Sequence, residues 1–299
     1  MNAQLYGIMP PTTTPFTADG DLDEAALKQQ TRYMVRQGVH GLVVGGSTGE
    51  GHTLATDEVR RVVAGTIEAA EGKVPVVAGI IVDSTRQAIE KGKAVADLGI
   101  AALQVTPVHY LFRPDDEQML QHFRAIAEGT GLPLFIYNVV PWSYLSPELL
   151  SRIMDEVSGV IGVKQSAGDL KLFADLKIMA PKGKRLFSAV DALIYPAITL
   201  GADGIITAML SVVPGVYVEM WNAVKRGDHA RALDLHERLL PLWNAVWAPN
   251  MPATVKFAQT IQGCPGGHPR APMGPATAAQ QQAIREALAG LEPELRAAA

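Results

Sequence analysis

The stretch GVIGVKQSAG, residues 159–168, decides the reading of the whole chain. Five of its first six residues are glycine or aliphatic, and the sixth is Lys164. Lysine is seldom fully buried unless it is paired. An ammonium held out of water loses proton affinity and becomes a nucleophilic amine. A lysine closing an apolar strand is therefore either a salt-bridged structural residue or a reactive amine. The nearest acid in sequence, Asp169, lies beyond the strand rather than in it.

Working outward, the same short apolar texture recurs at 6–16, 39–46, 74–81, 101–107, 132–140, 185–190 and 202–208, which with 159–165 makes eight candidate strands. Most are continuous in apolar residues rather than alternating, as expected when a parallel strand is buried on both faces. Amphipathic stretches separate them. Asp23, Thr56, Asp83 or Ser84, and Ser146 with Pro147 behind it are expected helix starts; Gly38, Gly72 and Gly99 are expected stops. Strand and helix alternating eight times predicts an α/β fold, a (β/α)8 TIM barrel. After Ala208 the alternation ceases and four helical stretches follow, the last of them TAAQQQAIREALAGLEPELRAAA. The expected organisation is a barrel over 1–225 that carries the catalytic site and a C-terminal helical extension over 226–299 packed on it.

Composition narrows the function classes. The chain has 299 residues, 48% hydrophobic and 19% charged, which supports a large core and argues against disorder. A net charge of −4 with no basic block argues against nucleic acid and anionic membrane as partners. The single cysteine, Cys264, cannot form an internal disulfide and reads as a buried structural residue. The opening MNAQLYGIMPPTTTPF lacks a positive start followed by an apolar run, and no apolar run reaches bilayer length, so a cytoplasmic protein is expected. The histidines form no metal pattern; His229 and His236 share a helix face without a third ligand, and no metal is expected.

In a (β/α)8 barrel the active site is built at the C-terminal ends of the strands. There the second run delivers GGSTGEG (residues 45–51), the fourth TPVHYLF, the fifth YNVVPW and the sixth Lys164. Tyr137 is either a proton-transfer phenol or a core tyrosine. The glycine-rich turn with Gly46, Ser47 and Thr48 reads as an anion site or as a plain tight turn. It is not a phosphate-binding P-loop, and a carboxylate is the better anion because no arginine or lysine lies within it. His52 and His109 lie near the rim and read either as substrate contacts or as rim residues without a role.

GGSTGE, YNVVP and GVKQSAGD, in that order, resemble the dihydrodipicolinate synthase and N-acetylneuraminate lyase family of Schiff-base aldolases, over almost the whole chain. The resemblance implies that Lys164 forms an imine with a 2-oxo acid of the pyruvate type and that Tyr137 relays protons. It implies that Ser47 and Thr48 hold the substrate carboxylate, with Thr48 also linking Tyr137 to a tyrosine from a neighbouring subunit, for which Tyr110 is the candidate. Gly46 and Ile206 complete the expected substrate-binding set together with Trp142, which with Tyr144 reads either as a stacking partner for a sugar or aromatic ring or as packing for its loop. The family's chemistry needs no cofactor, and its members are commonly tetramers, so a homotetramer is expected.

One departure bears on the substrate. Dihydrodipicolinate synthases typically carry an arginine in the loop after the tyrosine, whereas here Val139 to Tyr144 fill it and the first arginine is Arg152. The expected activity is cleavage or dehydration of a 2-keto-3-deoxy sugar acid. The alternatives are 4-hydroxy-tetrahydrodipicolinate synthesis from pyruvate and aspartate semialdehyde, hydratase-aldolase action on an aromatic 2-oxo acid, and a barrel that binds 2-oxo acids without turnover.

Overall fold

The computed structural model describes residues 5–298; residues 1–4 and 299 of the two terminal stretches read above lie outside it. Eight strands form the centre: β1 (Gly7–Ile8), β2 (Leu42–Val44), β3 (Val76–Ile80), β4 (Ala102–Val105), β5 (Leu134–Asn138), β6 (Val160–Gln165), β7 (Arg185–Ser188) and β8 (Gly204–Ile205). All neighbouring pairs are parallel, in the order β1-β8-β7-β6-β5-β4-β3-β2. The two ends of that order meet. Pro11 bridges Val43, Val43 N donates to Pro10 O at 3.0 Å, Thr12 N donates to Val43 O at 2.9 Å and His40 N donates to Ile8 O at 2.8 Å. The sheet thus closes on itself as the expected (β/α)8 barrel.

Helices α1 (Glu24–Arg36), α2 (Thr56–Ala70), α3 (Thr85–Val95), α4 (Asp116–Thr130), α5 (Pro147–Glu156), α6 (Leu170–Met179), α7 (Ile194–Thr199) and α8 (Pro214–Lys225) follow the strands in turn. Asp23, Ser84 and Ser146 cap α1, α3 and α5 by accepting the amides of Ala26, Gln87 and Leu149. Asp83 is not a cap: its carboxylate accepts the amides of His109 and Tyr110. Thr56 is the first helical residue of α2 rather than its cap; Ala55 precedes it, and the Glu58 carboxylate reaches back to the Ala55 amide at 2.9 Å. The first run, read as a strand over 6–16, pairs regularly at only two residues, because Pro10 and Pro11 supply no amide to a ladder.

Helices α9 (His229–Val246), α10 (Met251–Thr260), α11 (Ala278–Ala289) and α12 (Glu292–Ala298) make up the rest. The last stretch, expected as one helix, breaks at Gly290 into α11 and α12. Leu235, Leu239 and Val246 of α9 and Ile284 of α11 share one buried cluster with the outward strand residues Ile136 and Val163. Among the described residues no helix is long and apolar enough to cross a membrane.

Strand side chains alternate between two apolar layers. Met9, Val43, Val77, Ala102, Phe135, Phe187 and Ile206 fill the barrel interior, with Phe135 and Phe187 edge to face at 5.3 Å. Val44, Ala78, Leu103, Ile136 and Leu186 face the helices. Both layers are apolar, which is why the strands read as unbroken runs. Stepping two residues on from Phe135 gives Tyr137, and two on from Gly162 gives Lys164, so both polar residues face the interior at its upper end.

Gly162 makes room for the layer beneath Lys164. A Cβ there would sit 2.1 Å from the Arg185 carbonyl oxygen and 2.7 Å from the Phe135 ring. Gly162→Ala is expected to destabilise the barrel by about 3 kcal/mol, read as a lowered thermal midpoint. An unchanged midpoint would show that β6 and β7 part without cost.

Candidate active site

Strand register brings the two predicted residues together. β5 and β6 pair with Tyr137 opposite Lys164 and Asn138 opposite Gln165. Residues opposite each other in a parallel ladder point to the same face, so the phenol and the amine stand side by side. The Lys164 Nζ lies 3.7 Å from the centroid of the Tyr137 ring. Both residues are buried, at 3% and 5% exposure. The partner found for Lys164 is thus an aromatic face, an interaction of about 0.5–2 kcal/mol. Asp169 does not pair with it: Asp169 caps α6 through the Lys171 amide.

The neighbouring outward pair anchors the loop that follows Tyr137. The Asn138 amide donates to Leu145 O and to Gln165 Oε1, both at 3.1 Å, and its oxygen accepts the Leu145 amide at 2.9 Å. Residues 139–145 are closed into a loop whose far end, Leu145, is tied back to the Asn138 side chain by two bonds, and Tyr144 beside it lines the cavity.

The Gly-Ser-Thr-Gly turn meets the phenol. Tyr137 Oη donates to Ser47 Oγ at 3.2 Å. The turn is closed by Glu50 N donating to Ser47 O and Gly51 N to Gly46 O, both at 3.0 Å. The amides of Ser47 and Thr48 take no part in these bonds. The turn is tight enough that a Cβ on Gly51 would fall 1.8 Å from Gly45 O.

A cavity of about 510 Å3 opens here, lined by Ser47, Thr48, Tyr137, Lys164 and Ile206. Those five belong to the set expected from sequence. Gly46 lies buried behind the turn, its carbonyl engaged by Gly51. Trp142 and Tyr110 do not reach the cavity of their own chain. Trp142 is 72% exposed, its indole N–H donating to His109 O at 2.8 Å, and Tyr110 is 74% exposed on the loop held by Asp83. Tyr144, two residues beyond Trp142, lines the cavity instead. His52 and His109 lie outside the lining.

Several liners escaped sequence reading. Asp191 enters just after β7 and is buried, its carboxylate accepting the Met209 amide at 2.9 Å. Burial raises its pKa to about 6, against the pull of the Met209 amide and the Lys164 charge. Its position directly after the seventh apolar run was the signal available. Trp243 from α9, Trp247 immediately after it, and Met251 from α10 close the outer wall. The two indoles lie 5.1 Å apart. Nothing local marks them, because they arrive from the extension rather than from a strand end.

Cys264 sits with Met34, Val39 and Leu42, where burial pushes its thiol up to about 12, an inert core residue. Among the described residues there is no group of three or more side chains that could hold a metal ion.

A buried lysine, a phenol at its side, hydroxyls at a glycine-rich turn, and a cavity for a small molecule together suit carbonyl chemistry on an acid. The chain matches the model of the dihydrodipicolinate synthetase family over residues 4–291. It is 36% identical over 299 residues to the 4-hydroxy-tetrahydrodipicolinate synthase of Methanopyrus kandleri, covering 98% of this chain and 99% of that protein. The crystal structure of dihydrodipicolinate synthase from Thermotoga maritima superposes with a TM-score of 0.91 at 28% identity, covering 97% of this chain and 99% of the other. The CdNal protein of Clostridium difficile, solved in complex with mannosamine, gives 0.88 at 26% identity, covering 95% and 98%.

The Asp191 pKa has a consequence for stability. A carboxyl held at about 6 in the fold but near its ordinary value when unfolded keeps its proton through that interval only in the native state. Its contribution to stability is therefore greatest below the unfolded value, falls as pH rises, and is lowest above about 6. Asp191→Asn is expected to raise the thermal midpoint more at pH 8 than at pH 4.5. Equal shifts at the two pH values would show that Asp191 does not titrate between them.

Members of the family are class I aldolases or lyases that work through a lysine Schiff base, and this chain belongs to the dihydrodipicolinate synthetase family.

Proposed function

We propose that the Lys164 amine attacks the ketone of a 2-oxo acid, expels water and forms an imine that serves as the electron sink: it takes up the pair left on the adjacent carbon when the bond from that carbon to the next one breaks, in aldol cleavage, or when that carbon loses a proton before hydroxide leaves the next one, in dehydration. Ser47, Thr48 and the turn amides hold the carboxylate. Tyr137, hydrogen-bonded to Ser47, carries the proton. The observation that carries this reading is the buried Lys164 Nζ 3.7 Å from the Tyr137 ring, with that phenol 3.2 Å from Ser47 Oγ.

For the rest of the substrate we favour a neutral body, as in a 2-keto-3-deoxy sugar acid undergoing cleavage or dehydration. Lys164 is the one cation among the described residues lining the cavity. Arg113 is engaged by Asp116, and Arg152 by Glu117 and Glu156. A second carboxylate would find no guanidinium fork. Asp191, Thr207 and Ser166 offer hydroxyl partners, and the Trp243–Trp247 wall offers ring faces to a sugar or an aromatic body.

The comparisons support a second reading better than they support the sugar-acid one. The name of the 36% identical relative favours 4-hydroxy-tetrahydrodipicolinate synthesis, with aspartate semialdehyde as the other substrate. Family enzymes are typically oligomeric, and the exposed run of Tyr110, Leu111 and Phe112 supports assembly into the expected homotetramer.

Borohydride reduction in the presence of pyruvate is expected to fix the adduct on Lys164, mapped by mass spectrometry; a folded protein that gives no adduct with pyruvate or with longer 2-keto-3-deoxy acids would refute the imine. Condensation of pyruvate with aspartate semialdehyde is expected to run at least about tenfold below the best neutral aldehyde in kcat/KM. The reverse order would establish the second reading. Tyr137→Phe is expected to lower kcat by about 100-fold or more while pyruvate trapping persists. Lost trapping with intact turnover of preformed adduct would make Tyr137 a binding residue.

A further inference from the structure

Glu50 is the last acid of the GGSTGE turn, and none of the roles assigned above uses it. It is 1% exposed and its backbone is left-handed, at φ +53°. A non-glycine residue in that conformation costs on the order of 1–2 kcal/mol, and glycine would be the easier choice. The side chain must repay that strain. One oxygen of its carboxylate takes the ammonium of Lys256, on α10, and the other accepts the Arg270 amide at 2.9 Å. Both partners come from the C-terminal extension.

The extension's grip is itself fixed. Lys256, also 1% exposed, donates to the His268 carbonyl at 2.7 Å and stands 4.6 Å over the Phe16 ring. Arg270 lies 4.1 Å over the same ring, and its guanidinium donates to the Gly20 and Thr53 carbonyls and to Glu58. On the other side, Glu50 N closes the turn on Ser47 O at 3.0 Å, and Thr14 Oγ1 donates to Gly49 O at 2.7 Å. Removing two charges from water is expensive and is offset only by near-complete pairing. Here both oxygens of the carboxylate are paired, and the pair is placed where it locks a turn against a distant segment.

We infer that Glu50 is a positioning residue for the carboxylate-holding turn: through it, Lys256 and Arg270 of the C-terminal extension set where Ser47 and Thr48 present their hydroxyls and amides. The inference rests on the imine reading of the site. It makes the extension part of the substrate-binding machinery, acting through Glu50 without touching substrate.

The test separates positioning from mere stability. In Glu50→Gln, the pyruvate concentration giving half-maximal borohydride trapping on Lys164 is expected to rise about tenfold, the loss of one charge-assisted contact's worth of order at the turn. The maximal trapped fraction should hold. Methyl pyruvate presents the same ketone without the anion, and its half-saturation should move less than about twofold. A purely structural Glu50 would lower the folded fraction and leave the folded protein's half-saturation for pyruvate where it was. That result, or equal shifts for pyruvate and its ester, overturns the inference. Should Glu50→Gln not fold, Glu50→Asp is read by the same two ligands, because it keeps the charge and withdraws the carboxylate by one methylene. Wild-type protein that traps neither pyruvate nor a longer 2-oxo acid would instead refute the imine reading, and this inference with it.

Discussion

The parallel register of β5 on β6 is the constraint from which the site follows. Tyr137 opposite Lys164 places an amine and a phenol on one face of the ladder, one strand apart. Side-chain direction alternates along a strand, so a slip of one residue would send Lys164 into the helix-facing layer among Ile136 and Val163. The apolar pattern beneath forbids that slip. Phe135 and Phe187 fill the interior, and a Cβ at position 162 would collide with the Phe135 ring and the Arg185 carbonyl. Packing one layer down therefore determines the chemistry one layer up.

Much of this is legible in residue order. Runs without alternation announce strands buried on both faces, and a lysine at the end of such a run announces a site. The closed ring then fixes which turns gather at the rim. What cannot be read locally comes from far along the chain. Trp243 and Trp247 look like ordinary residues of an amphipathic helix until α9 is laid across the mouth of the barrel. Lys256 sits within ATVKFAQ, as apolar a setting as that of Lys164, yet its meaning depends on Glu50, 206 positions earlier. Trp142 shows the opposite limit. Its place in the loop after Tyr137 is evident, but Asn138 pins that loop so that Tyr144 turns inward and Trp142 outward.

The two buried lysines show how surroundings separate roles. Lys256 has a carboxylate, a carbonyl and a ring around it, and its charge is compensated in place. Lys164 has an aromatic face and an open cavity. A fully paired ammonium has little freedom to approach a carbonyl. One held mainly by a ring face, in space large enough for a substrate, keeps it. The same residue type thus serves as a clamp at one site and faces an open cavity at the other, and the difference lies in the number of polar partners each is given.

The cavity's polarity is arranged in the same way. At its floor lie the amine, the phenol and the turn hydroxyls, groups suited to a ketone and its adjacent carboxylate. Asp191, with its pKa raised by burial, adds a group that near neutral pH passes between hydrogen-bond donor and acceptor, beside a cation rather than in place of one. Above it the indoles of Trp243 and Trp247, at the end of α9, supply flat apolar faces without charge. A substrate matched to this gradient carries its anion at one end and presents hydroxyls or a ring at the other. A second anion at the outer end would be taken out of water against tryptophan, and among the described residues lining the cavity Lys164 is the one cation. Under the proposed reading, length and neutrality at the distal end are what this wall would favour, and Trp243, Trp247 and Met251, which build it, all come from beyond the eighth barrel unit.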